Sequence, residues 1–277
     1  MRRFQLFSTM VAISLLAGCA GPDRRPDVAA NAGIVPASER APAPEISTLP
    51  PVTASERELE QLRQLAPDAD PGVLALALEA RSCAVRNGDA GADARLAVID
   101  YSRPSTEQRL WVFDLTEGRL LHREYVAHGS GSGENFANHF SNIEGSYQTS
   151  LGLYRTAETY TGKNGYSLRM DGLDRGFNDN ARPRAIVMHG AWYANPDLIR
   201  TQGRLGRSQG CPALREQVAR VVIDEIKQRN LVFAYANDAT WLRDGSSFAC
   251  DGRTAAEILA VGREAGGDAQ RVVASAG

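Results

Sequence analysis

Between Arg95 and Ala236 the chain carries seven short runs rich in β-branched and aromatic residues: Arg95–Tyr101, Leu110–Leu115, Leu120–Ala127, Ser150–Glu158, Tyr166–Met170, Ala185–His189 and Leu231–Ala236. Runs of this length and composition predict strands, and Thr116-Glu117-Gly118-Arg119 predicts the turn between the second and third. One stretch interrupts the series, Leu214 to Arg229, where Val218, Val221, Val222 and Ile226 recur at helical spacing. A doubly wound parallel sheet needs a helix between successive strands, so that architecture is excluded. The pattern predicts an α+β fold, mostly β, with a sandwich or barrel-like sheet and one internal helix.

Two helices are predicted ahead of this region. Thr53-Ala54-Ser55-Glu56 has the form of a capping box opening a charged helix to about Ala66. Asp70-Pro71 supplies an N-cap and a first-turn proline for a second helix that Gly88 can end, and Val73, Leu74, Leu76, Ala77 and Leu78 give it a broad apolar face for packing on the core. The expected organisation is a helical segment at 53–88, a β-rich domain at 89–245 and a tail at 246–277 that can form a helix.

The first 52 residues have a different character. Arg2 and Arg3 precede an apolar run too short to span a bilayer, and it closes on Leu16-Ala17-Gly18-Cys19. This resembles the lipobox of bacterial lipoproteins, which implies a signal peptide at 1–18 and a lipid on Cys19. Ala20, in place of an aspartate, implies sorting to the outer membrane. Seven of the thirteen prolines fall between Ala20 and Val52, a composition that cannot bury enough apolar surface to offset its ordering entropy. Residues 19–52 are therefore expected to be a lipidated tether, and the chain a periplasmic protein held to a membrane by its anchor. With 31 basic against 33 acidic residues and no basic stretch interleaved with aromatics, nucleic acid is not an expected partner.

Of the four cysteines, Cys19 is assigned to lipid and Cys211 to chemistry. Cys83 and Cys250 remain, in an oxidising compartment and just outside the two ends of the β-rich region, and are expected to pair as a disulfide. Cys211 closes the segment that begins at His189-Gly190 and ends in Gly206-Arg207-Ser208-Gln209-Gly210-Cys211. A thiol and an imidazole are the smallest set that can run acyl transfer without a metal. Pro212 suits the first position of a helix, which would put Cys211 at a helix N-terminus where the dipole favours a thiolate, with Arg207 adding positive charge.

The run Arg184 to Gly190 with Gly206 to Cys211 resembles the YkuD-type L,D-transpeptidases, whose signature is His-Gly, a spacer, then Ser/Thr-His-Gly-Cys. The GRSxGCP form resembles the subgroup of murein L,D-transpeptidase catalytic domain-like proteins. Phe140-Ser141-Asn142, Ser150 to Tyr154, Gly162-Lys163-Asn164-Gly165, Asn178-Asp179 and Asn237-Asp238 fit that subgroup, so the likeness covers about residues 70 to 245. It implies a transpeptidase on peptidoglycan stem peptides that forms 3→3 cross-links through a Cys211 thioester with release of D-alanine. His189 would be general base and acid, the Gly190 carbonyl would orient it, and N–H groups at Gly210 and Cys211 with Gln209 would form the oxyanion hole. Arg184, Arg207, Ser208 and His128 are candidate substrate-binding residues.

Two positions depart from the common signature: Gln209 stands where it has histidine, and Ala213 where it has asparagine or arginine. Gln209 cannot titrate, so the acceptor is left open. An L,D-carboxypeptidase or endopeptidase would use the same pair, and a non-catalytic wall-binding lipoprotein would need neither. Gly206 to Gly210 also fits G-x-S-x-G, but all four histidines precede Ser208, whereas serine hydrolases of that type place the catalytic histidine after the nucleophile. A zinc site lacks any C-x-x-C or H-x-x-x-H pair, so no metal or cofactor is expected.

Overall fold

The structure, a computed structural model, describes residues 54–275. The signal peptide, Cys19 and the 19–52 tether lie outside the described residues, as does Thr53 of the capping box. Helix α1 (Ala54–Leu65) and helix α2 (Pro71–Arg86) come first. Asp70 caps α2 as its sequence predicts: Oδ1 accepts from the Gly72 and Val73 N–H groups at 2.8 and 3.4 Å. Almost every apolar side chain of α2 is buried, because α2 is covered on one side by α1 and α6 (Ala255–Ser275) and on another by the sheet. Helices α2 and α6 cross where two glycines meet. A Cβ on Gly262 would come within 2.8 Å of the Gly72 Cα, so only glycine permits this approach.

The eight strands are β1 (Leu96–Asp100), β2 (Leu110–Asp114), β3 (Arg119–Glu124), β4 (Gly152–Gly162), β5 (Gly165–Gly172), β6 (Val187–Gly190), β7 (Ala213–Leu214) and β8 (Leu231–Tyr235). They form one sheet in the order β3-β2-β1-β8-β4-β5-β6-β7. Pairing is antiparallel except at β1/β8 and β6/β7. Past β3 the chain returns to the far end of the sheet. Ala127 and Ala213 exchange hydrogen bonds of 2.8 and 3.3 Å, and the Ser130 N–H donates to the Ser208 carbonyl at 2.8 Å. This seam nearly closes the sheet into a barrel, the architecture expected from the seven runs. Strands β1, β2 and β8 are buried along their whole length. Strands covered on both faces read as continuous apolar runs, as LAVID, LWVFD and LVFAY do.

Helix α3 (Asp197–Gln202) follows β6, α4 (Glu216–Ile226) packs on β6, and α5 (Ala239–Asp244) follows β8. In α4 the buried face is Ala219, Val222, Ile223 and Ile226; Val221, expected on that face, is 53% exposed. Asp238 caps α5 through the Trp241 N–H at 2.8 Å, and Trp241 is surrounded by Phe233, Tyr235 and Phe248 at centroid distances of 5.3–5.9 Å. A disulfide joins Cys83 of α2 to Cys250, between α5 and α6, with Cα atoms 5.7 Å apart. It ties the C-terminal helix to the helical layer.

Candidate active site

The parallel pairing of β6 with β7 brings the two ends of the motif together. His189 pairs with Ala213, and the Ala191 N–H donates to the Leu214 carbonyl at 2.8 Å. Cys211 stands two residues before Ala213, just ahead of the strand that pairs with His189. Both side chains line one cleft of about 550 Å³ at the barrel end. A cleft of about 670 Å³ elsewhere, at Asp70, Asp100, Arg103 and Arg263, has neither a thiol nor an imidazole among its lining residues.

His189 Nδ1 lies 2.9 Å from the Gly190 carbonyl. A carbonyl only accepts, so Nδ1 carries the proton and Nε2 keeps its lone pair. Burial pushes the imidazole pKa below its usual 6.5, with the Gly190 carbonyl opposing. The ring is thus a neutral base in one fixed tautomer, meeting the Tyr193 ring edge-on at a centroid distance of 6.5 Å.

The Cys211 thiol is buried in a cradle made by 184–187. The Val187 N–H donates to Sγ at 3.5 Å, and the thiol faces the Ala185 carbonyl at 3.8 Å. The expected helix N-terminus is absent here. Pro212 leads into β7, its carbonyl accepting from the His189 N–H at 3.4 Å, and α4 begins only at Glu216. No helix dipole acts on Cys211. Burial pushes the thiol pKa up, opposed by the Val187 N–H and by the Arg184 cation. Burial thus favours the neutral form of both the thiol and the imidazole that line this cleft.

The loop before Cys211 is held from within. Ser208 is buried, its hydroxyl donates to the Cys211 carbonyl at 2.6 Å, and its oxygen accepts from the Gly210 N–H at 3.1 Å. Ser208 therefore braces the loop and is not free to bind a ligand, and the Gly210 N–H, expected in an oxyanion hole, is already engaged. The Cys211 N–H has no hydrogen-bond acceptor among the described residues. Gly210 has φ of 117°, and a Cβ there would sit 2.8 Å from the Gln148 carbonyl oxygen, so the position requires glycine. Gln209 is exposed on the cleft lip.

The other candidates divide. Arg207 lines the cleft but donates to Glu134 at 2.6 Å and to the Gly133 carbonyl at 3.1 Å. Arg184 lines it too, with its donors turned to the 141–150 segment. His128 is not in the cleft. It is wholly buried, with Nδ1 2.7 Å from Arg109 Nη2 and Nε2 3.3 Å from the Gly133 carbonyl. Burial first, then the Arg109 cation, pushes its pKa down to about 3. Its contribution is through the backbone, where its carbonyl accepts from the Ser208 N–H at 2.9 Å.

Residues that no spacing singles out complete the walls. Glu144 and Tyr147 stand on the 141–150 segment, Ile186 on the floor, and Lys163 and Asn164 at the β4–β5 turn. Tyr147 and Ala185 are non-glycine residues with φ of 54° and 53°. Such conformations cluster at working sites, and no periodicity announces them.

Residues 65–235, more than half of the 277-residue chain, match the L,D-transpeptidase catalytic domain family. Solved structures similar to the chain include an L,D-transpeptidase from Mycobacterium smegmatis, at 14% identity over 52% of this chain and 59% of that one, with a TM-score of 0.33. An L,D-transpeptidase from Mycobacterium tuberculosis is similar at 17% identity over 51% and 57%, with a TM-score of 0.31. One from Stackebrandtia nassauensis is similar at 14% over 59% and 68%, with a TM-score of 0.31. The chain thus spans 59% of the length of the Mycobacterium smegmatis protein. No curated protein matches it.

Proposed function

Since the chain belongs to the L,D-transpeptidase catalytic domain family, we propose that it is a cysteine acyltransferase acting on peptidoglycan stem peptides and forming 3→3 cross-links. The observation that carries this reading is the convergence of Cys211 and a tautomer-locked His189 in one cleft. Because burial keeps the thiol protonated, the proton must leave as the bond forms. His189 Nε2 takes it while Sγ attacks the carbonyl carbon at the L-centre of the third residue of a tetrapeptide. The C–N bond to the terminal D-alanine then breaks, and His189 returns the proton to the leaving amine. An amine of a neighbouring stem attacks the thioester, its surplus proton passes to His189, and the thiol is restored. The Cys211 N–H receives the oxyanion, with Gln209 at the lip. Lys163 at the β4–β5 turn, on the cleft wall, suits a peptide that carries carboxylates.

We propose, as part of the same reading, that a lipid on Cys19 and a tether over 19–52 hold this activity at the outer membrane facing the wall. Incubating the purified protein with defined tetrapeptide muropeptides tests it. The expected products are free D-alanine and 3→3 dimers, both lost in Cys211→Ala. Alanine release without dimers would make it a carboxypeptidase; no Cys211-dependent product would leave a wall-binding role.

A further inference from the structure

Arg184 has five N–H donors, and four point into the cleft wall. Nη1 donates to the Ser141 carbonyl at 2.6 Å and to Ser150 Oγ at 2.8 Å. Nη2 donates to the Gln148 carbonyl at 2.7 Å and to Ser146 Oγ at 3.3 Å. Both terminal nitrogens are thereby filled, which leaves no fork for a substrate carboxylate. The segment so held, 141–150, carries Glu144 and Tyr147 into the cleft. A second strap lies nearby: the Asn180 N–H donates to Asn142 Oδ1 at 3.1 Å, and Asn142 Nδ2 donates to Asp179 at 2.7 Å.

The same guanidinium lies against the nucleophile loop. A Cβ built on Gly210 would be 3.5 Å from Arg184 Nη2 and 2.8 Å from the Gln148 carbonyl that Nη2 binds. Gly210 directly precedes Cys211, and Ala185, next to Arg184, offers its carbonyl to the thiol. The titratable groups near the thiol are His189 on β6, the phenols of Tyr193 and Tyr101, and Arg184. Burial keeps both phenols neutral and His189 is neutral at rest. Arg207 shares the cleft but is held by Glu134. Lys163, Glu144 and Tyr147 line the same cleft, and Arg184 is the cation whose charge opposes the upward push of burial on the thiol.

We propose that Arg184 is a positioning residue with two separable actions: it pins the 141–150 wall against the nucleophile loop, and it provides the fixed positive charge that a helix N-terminus provides in other reactive cysteines. The wall action rests on the function proposed above; the charge action does not, because alkylation of the thiol needs no substrate.

The test follows iodoacetamide labelling of the Cys211 peptide by mass, as a function of pH, in the full chain. Arg184→Met should raise the labelling midpoint by about one pH unit and slow labelling at fixed pH about tenfold. Arg184→Lys keeps the charge and should stay within about 0.3 units of the original midpoint, yet lose D-alanine release, since an ammonium cannot span four acceptors. Ser146→Ala with Ser150→Ala should lower that release without moving the midpoint. An unchanged midpoint in Arg184→Met overturns the charge action, and full release in Arg184→Lys overturns the wall action. If Arg184→Met does not fold, as circular dichroism would show, the charge action is decided by Arg184→Lys: its midpoint must follow that of the starting protein, and a rise of one unit overturns the proposal. If the starting protein releases no D-alanine, the functional reading fails and the midpoint alone decides the role of Arg184.

Discussion

The helical layer and the cleft are built by opposite rules. In the layer of α2, α5 and α6, helix starts are capped by Asp70 and Asp238, glycines sit where helices touch, and a disulfide closes the assembly. Around the cleft, Tyr147 and Ala185 hold left-handed conformations, Gly210 holds one that only glycine accepts, and a thiol and an imidazole are kept from water. Among the described residues the other two left-handed non-glycine positions, Gln228 and Arg229, form the turn into β8. Each such residue costs roughly 1–2 kcal/mol. The comparison teaches that stability resides in one region and strain in the other, so substitutions in each should move different observables.

The largest expected effect is on chemistry alone. Cys211→Ala should abolish D-alanine release, and His189→Ala should lower it roughly 10²- to 10⁴-fold, both leaving the thermal midpoint nearly unchanged. A large fall in that midpoint would mean that the cleft also supports the fold. The converse experiment is at the disulfide. Replacing Cys83 and Cys250 by serine should lower unfolding stability in urea by roughly 2–4 kcal/mol, while Cys211 labelling keeps its pH midpoint. A shifted midpoint would show that the two regions are coupled.

A third expectation concerns His128, which lies behind the cleft and belongs energetically to the core. It is held neutral in the folded protein with a pKa of about 3, whereas unfolded histidine titrates near 6.5. Between these values the unfolded chain binds the extra proton, so stability falls as pH drops. The slope is up to about 1.4 kcal/mol per pH unit, and the penalty is absent above about pH 6.5. Urea midpoints measured from pH 7 to pH 4 check this, and a flat profile would show that His128 is protonated in the fold. The smallest effect is at the cap: Asp70→Ala should cost about 1 kcal/mol with no change in labelling or D-alanine release.

How far the sequence carried can be traced residue by residue. The seven apolar runs mark β1 to β6 and β8 to within a few residues, because strands of a closed sheet alternate or are wholly apolar. Asp70, Pro71 and Gly88 mark the ends of α2 because capping chemistry is local. Strand β7 was hidden: two residues have no period, and Pro212, whose fixed φ suits a strand entry as well as a helix start, read as the opening of α4. The pairing of His189 with Ala213 is a long-range contact that no local pattern encodes. The Cys/His pair was legible as chemistry, but its electrostatics were not, because the polarity of a thiol depends on what covers it. Arg184 was the least legible. Its acceptors lie 34 to 43 residues upstream, in a loop without periodicity. His128, beside a glycine-rich loop, reads as a cleft residue until the depth of the barrel is known.

The protein also carries its own optical probe of the cleft. Of its three tryptophans, Trp111 and Trp241 are 1% and 0% exposed, whereas Trp192 is 70% exposed. Trp192 stands with its ring 5.9 Å from Tyr193, which itself meets His189 edge-on. An ionic quencher in solution should therefore silence one indole out of three, and a peptide entering beside Cys211 should shield that indole. Occupancy of the cleft can thus be followed by fluorescence in the unmodified chain, before any bond is made or broken.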